Sequence, residues 1–319
     1  EVTILAVEER LEKLRALDKR RQAILSSLEE RSLLTEELGN RLSRARTIGE
    51  LEDLYLPYRP KRRTRATRAR ELGLEGPAES LLSEGDVDII AHAQSFVGSS
   101  EELPSRESVL QGARDIVAEL IQEDTELRRK LRSLFETSGE LSSKPAPKRK
   151  GKDPDPEGRF ADYHEWREKA SRAPSHRVLA LFRGESEGAL TVHLLPPEER
   201  AIQLIAKSYV RGSGERARQL GLASEDAYRR LIAPSLENEQ KQRVKERAHE
   251  TAAGVFAENL RQLLLAPPLG ARPMLAVDPG FRTGCKVVAL NSRGGLEVRE
   301  TIYPLEPHHR KTDAVDTLR

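Results

Sequence analysis

The densest chemistry in the sequence lies between Arg59 and Arg70. Seven basic residues, Arg59, Lys61, Arg62, Arg63, Arg65, Arg68 and Arg70, occur there with no acid among them. Arginine presents a planar fork of donors that matches phosphate oxygens, so the run is a candidate nucleic-acid-binding edge. On a helix Arg62, Arg65 and Arg68 fall at i, i+3 and i+6 and share one side. The same pattern suits a solvated helix face, or arginines paired with carboxylates of neighbouring helices. A second basic run holds Lys148, Arg149 and Lys150 within a proline-rich stretch. There a flexible polycation could add sequence-blind, salt-sensitive affinity, or simply solubility.

Asp278 is the best candidate for catalysis. It closes the apolar run Leu275-Ala276-Val277 and precedes Pro279-Gly280, the way a first Mg²⁺-ligating carboxylate is presented at a strand end. Two-metal phosphodiester chemistry needs further carboxylates converging on that point. Downstream only Glu297, Glu300, Glu306, Asp313 and Asp316 are available, none at a recognisable ligand spacing. Asp-Pro-Gly is equally plain turn chemistry, the carboxylate then capping amides near Gly280 and Arg282. The chain has no G-x-x-x-x-G-K-[ST] phosphate loop and no H-E-x-x-H helix. His308-His309 reads as surface, Ser175-His176 as a turn after Pro174, and Cys285 as core.

The elements that must position these groups are mostly helices. Val7, Leu11, Leu14, Ile24 and Leu28 form an apolar stripe at helical spacing. Thr35 and Thr47 precede acidic first turns and read as N-caps. Residues 1–137 are therefore expected to be an all-helical region. Residues 138–158, with Pro145, Pro147, Pro154 and Pro156 among like charges, are expected to be a flexible linker. In 159–270, Val178–Phe182 and Ala189–Leu194 flank Gly184 and Gly188, which predicts a β-hairpin. A long helix is predicted from Ser235 to Leu265, with Leu236, Gln240, Val244, Ala248, Ala252, Phe256, Leu260 and Leu263 recurring about every four residues. Pro267-Pro268 ends it, and 271–319 read as three strands and the start of a helix.

Composition bounds the rest. Of 319 residues 33% are charged and 4% aromatic, which suits solvent-lapped helices better than a β-sandwich. Lys and Arg number 54 against 52 Asp and Glu, so any attraction to nucleic acid must come from local clustering. A single cysteine excludes intramolecular disulfides and Cys-built zinc sites, and points to a reducing cytoplasm. No apolar run is long enough for a membrane span. The chain opens on Glu1 and its only methionine is Met274, so it reads as a portion of a longer protein.

Four blocks carry a family resemblance: Leu51–Thr67, Pro174–Gly184, Val255–Gly270 and Asp278–Gly284. Together they resemble the bacterial Tex family of transcription accessory proteins. The resemblance implies a mainly α, elongated helical scaffold with a long central helix, and a helix-turn-helix-like region early in the chain. It also implies the start of an α/β, YqgF/ribonuclease-H-like domain near Met274, and RNA or DNA and the transcription machinery as partners. No cofactor and no enzymatic reaction are implied. The combined expectation is a nucleic-acid-binding, non-catalytic scaffold; a metal-dependent nuclease and a protein-only adaptor are the alternatives.

Overall fold

The computed structural model describes residues 2–60, 63–83, 88–148, 151, 153–280 and 283–319. The chain divides into two units, Glu1–Ala253 and Gly254–Arg319.

In the first unit, helix α1 (Val2–Glu30) packs Leu17, Ile24 and Leu28 against Leu38 and Leu42 of α2 (Glu36–Arg44) and Leu51 and Tyr55 of α3 (Ile48–Tyr55). Thr35 and Thr47 cap α2 and α3, each accepting an amide at 3.2 Å, as their positions predict. Val7, Leu11 and Leu14, by contrast, remain exposed. Helices α4 (Arg65–Glu71), α5 (Glu75–Leu82) and α6 (Ile89–Gln94) surround α7 (Arg106–Glu123). Val109, Ala113, Ile116, Val117 and Ile121 give α7 its buried face, and α8 (Thr125–Ser138) adds Leu127, Leu131 and Phe135.

Two expectations are corrected in the middle of the chain. Residues 138–158 are not linker throughout: Glu140–Pro145 forms β1, with Leu141 and Ser143 buried. It is the central strand of an antiparallel sheet, between β2 (Trp166–Lys169) and a strand at Leu190–Leu195. The alternation Leu141-Ser-Ser143 hides a half-buried strand behind small polar residues, which is why composition suggested a loop. The predicted hairpin is also wrong in its first arm. Ser175–Ser186 is helix α9, and only Leu190–Leu195 is a strand, β3. Gly184 is a helical packing point rather than a turn, since a Cβ there would lie 2.6 Å from Leu190 Cδ1. The turn falls at Gly188, with φ of +75°.

Helix α10 (Glu198–Tyr209) leads to α11 (Glu215–Asp226), a π-helical turn (Ala227–Ile232) and α12 (Ala233–Leu264); the last three follow one another with no intervening loop. The long predicted helix is present. Its burial ends at Ala248, however: Leu236, Gln240, Val244 and Ala248 are buried, whereas Phe256, Leu260 and Leu263 are exposed.

In the second unit, β4 (Met274–Asp278), β5 (Cys285–Leu290) and β6 (Leu296–Ile302) form an antiparallel sheet in that order, followed by α13 (Lys311–Leu318). Cys285, Val287, Ile302 and Ala314 make its small core. The fold is mainly α, with a long helix and the β-β-β-α unit that the sequence predicts. Among the described residues no helix is long and apolar enough to cross a membrane.

Candidate nucleic-acid interface

The basic run is held at both ends. Before it, a 3₁₀ turn at Leu56–Tyr58 carries Pro57 near its start, and Arg59 follows in extended backbone. Tyr55 Oη lies 3.0 Å from Ser27 Oγ of α1, and Arg31, the residue after α1, donates to the Tyr58 carbonyl. After it, Thr64 caps α4 by accepting from the Thr67 amide at 3.0 Å, and its hydroxyl donates to Glu119 Oε1 at 3.1 Å. Ala66 and Ala69 are the buried positions of α4. Alternation of alanine and arginine thus seats a helix close against α7 while turning its guanidinium groups outward. Leu72 and Gly73 end the helix, the glycine at φ +76°.

Three of the predicted residues are engaged by carboxylates. Arg63 pairs with Glu71, Arg68 with Glu102 and Arg70 with Glu119, each at 2.6 Å. The hydrogen bond to Glu102 holds the Arg68 guanidinium above its ordinary pKa, and the reciprocal bond holds Glu102 below the usual carboxylate range. Arg63 and Arg68 keep most of their surface, whereas Arg70 reaches a Glu119 that is nearly buried. Exposed pairs of this kind contribute little to stability, so a guanidinium can exchange its carboxylate for a phosphate at little cost. Arg59 and Arg65 are exposed and have no ion pair among the described residues. Lys61 and Arg62 lie outside the described residues, so the i, i+3, i+6 row is represented by Arg65 and Arg68 alone. In the second run Lys148 is exposed, and Arg149 and Lys150 lie outside the described residues.

Asp278 ends β4, opposite Lys286 of β5. The glycines after it are set by space: a Cβ on Gly280 would lie 2.5 Å from the Gly284 carbonyl oxygen, and Gly284 sits at φ +84° against Tyr303. Among the described residues the Gly280 amide makes no hydrogen bond to Asp278, and Arg282 lies outside them. No group of three or more His, Cys, Asp or Glu side chains able to hold a metal occurs among the described residues.

A second polar site has no counterpart in the sequence reading. A cleft of about 490 Å³ is lined by Arg65, Gln111, Arg114, Asp115, Leu222, Glu225, Asp226 and Arg229. The available signal was Arg114-Asp115 interrupting the apolar face of α7, where both side chains are buried. Arg65 belongs to this cleft and to the basic run alike.

Residues 86–256 match the family model described as Tex central region-like, and residues 272–319 match the Tex protein YqgF-like domain. The chain is 37% identical to Protein tex of Bordetella pertussis over 98% of its own length and 41% of that relative. It is 38% identical to Transcriptional accessory protein Tex of Neisseria gonorrhoeae over 97% and 40%. S1 RNA-binding domain-containing protein 1 of Homo sapiens is 27% identical over 93% of the chain and 31% of its own length. The chain therefore spans about two fifths of the bacterial relatives it matches.

Proposed function

The chain belongs to the Tex family, and from that premise we propose that it is a nucleic-acid-binding scaffold of the transcription apparatus, without catalytic activity of its own. The observation that carries the reading is the basic run on and before α4. Arg59 and Arg65 stand without carboxylate partners among the described residues, and the exposed pairs of Arg63 and Arg68 are cheap to exchange. The names of relatives point the same way, one as a transcriptional accessory protein and another as an S1 RNA-binding domain-containing protein. With a net charge of +2 the attraction is local, so binding is to backbone phosphates along one edge. The second basic run around Lys148, Arg149 and Lys150 adds to it as a sequence-blind contribution, in a cytoplasmic setting. Titrating single-stranded RNA, single-stranded DNA and duplex DNA at several salt concentrations tests the reading. Affinity should fall log-linearly with salt. Absence of binding to all three at low salt would make the chain a protein-only adaptor.

A further inference from the structure

The cleft beside Arg65 holds a carboxylate whose hydrogen-bonding capacity is largely unused. Asp115 is 7% exposed. Its Oδ1 atom receives Arg230 Nη2 at 3.3 Å and Gln111 Nε2 at 3.4 Å, both long, and Oδ2 receives no hydrogen bond from a described residue. Burial accordingly pushes the Asp115 carboxyl above the usual range, with the Arg230 and Arg65 charges opposing it. Neither Asp115 oxygen is among the fully buried polar atoms left without a partner, so the carboxylate keeps an acceptor open toward the cleft.

The other groups narrow what could donate to it. Arg114 is committed: its guanidinium donates to Gln219, Glu107 and Gln111. Asp226 is taken by Arg230 and Glu225 by Arg229. On the cleft wall Asp115 Oδ2 is an acceptor with no hydrogen bond, and Arg65 a donor with no ion pair, among the described residues. Leu222, 40% exposed, offers an apolar face. The wall contributed by Arg229 and its neighbour Arg230 is the π-helical turn, an irregularity that often accompanies functional sites. At about 490 Å³ the cleft lies within the range of small-molecule pockets, about 300–1,000 Å³.

We propose that this cleft takes a guanine base from a single strand whose backbone lies along the Arg59–Arg70 edge. Guanine places two adjacent donors, N1–H and the N2 amino group, on one edge, where a single carboxylate accepts both. On its other edge O6 and N7 accept from an arginine. Asp115 and Arg65 supply that pair of partners, with Leu222 against the ring. Adenine, cytosine and uracil lack the adjacent donor pair. Arg65 links base and backbone, because it belongs to the cleft and to the basic edge together. The proposal rests on the nucleic-acid reading above, and the test separates the two.

Fluorescence anisotropy would compare a short oligouridine strand with the same strand carrying one central guanine or one central adenine. The guanine strand should bind at least about ten-fold tighter than the other two, the discrimination expected of one good bidentate pairing. In the Asp115→Asn variant the guanine strand should bind no tighter than the oligouridine strand. Equal affinity for all three strands would overturn the base pocket and leave phosphate binding standing. An equal gain from adenine would also overturn it, and no binding of any strand would overturn both readings. If Asp115→Asn loses its melting transition, Leu222→Trp carries the test from the rim of the cleft. It should erase the guanine preference by filling the space, and a preference that survives it would sink the proposal. Free guanosine monophosphate competing as well as the guanine strand would reassign the site to a free nucleotide and overturn the strand geometry.

Discussion

Asp53 on α3 and Arg128 on α8, 75 residues apart in sequence, form an ion pair of 2.5 Å in which both side chains are about 5% exposed. The second Asp53 oxygen accepts from Arg132 at 2.7 Å, and Arg132 in turn reaches Glu239 on α12 at 2.6 Å. Arg128 also donates to Ser235 on α12, at 3.1 Å. Although burial opposes it, Glu239 and Asp53 together keep the Arg132 guanidinium above its ordinary pKa. One carboxylate thus joins the α1–α3 layer to the long helix through two arginines.

Removing that carboxylate leaves the Arg128 guanidinium buried without its ion-pair partner and Arg132 with Glu239 alone. Asp53→Ala should therefore destabilise the first unit by about 3–5 kcal/mol, read from the midpoint of chemical denaturation. A loss below about 1 kcal/mol would show that solvent reaches the network.

The paired and unpaired arginines of the basic run should behave differently. Arg59→Ala with Arg65→Ala should weaken single-strand binding and reduce the salt slope by about 0.7 for each phosphate that is no longer neutralised. Arg70→Ala, whose guanidinium is held by the nearly buried Glu119, should instead lower the melting temperature and leave the slope unchanged. The opposite pattern would assign phosphate binding to the paired residues.

Tyr228 sets an alkaline limit. Its hydroxyl is buried without a hydrogen-bond partner among the described residues, and burial pushes it up to about 12, with the Glu198 and Glu237 charges adding. The folded chain holds this proton more tightly than the unfolded chain, so the associated stability is complete below pH 10 and drains away between about 10 and 12. Tyr228→Phe removes the orphan hydroxyl. It should make the chain up to about 1 kcal/mol more stable at neutral pH and shift alkaline unfolding upward. Denaturant midpoints across that interval decide it, and a variant less stable at neutral pH would show that the hydroxyl has a partner in solution.

The strand-end carboxylate should not cut nucleic acid. Purified chain incubated with branched, duplex and single-stranded substrates in Mg²⁺ or Mn²⁺ should leave them intact, because one carboxylate cannot build a two-metal centre. Cleavage that disappears in Asp278→Asn would promote the nuclease alternative.

Where the sequence reading succeeded, local chemistry was sufficient. Thr35 and Thr47 announce their helices because a cap joins atoms only three residues apart. The β4–β6 strands stand out because apolar runs are separated by glycine turns. The reading failed where the partner is distant. Leu141 and Ser143 are strand residues only because β2 and β3 flank them, and Gly184 is helical because Leu190 packs on it. The arginines were legible as a cluster but their occupancy was not. Glu102 and Glu119 lie 34 and 49 residues beyond Arg68 and Arg70, and nothing in the spacing announces those pairs. Asp115 was hidden for the same reason, a charge inside an apolar helix whose surroundings come from α11 and the π turn.

The antiparallel pairing of β1 with β2 has a mechanical consequence. Ser143 faces Trp166 across the ladder, so the two ends of the intervening segment are pinned about one strand spacing apart. Tension applied to that segment would be resisted at its root as a pair of opposed pulls on adjacent strands.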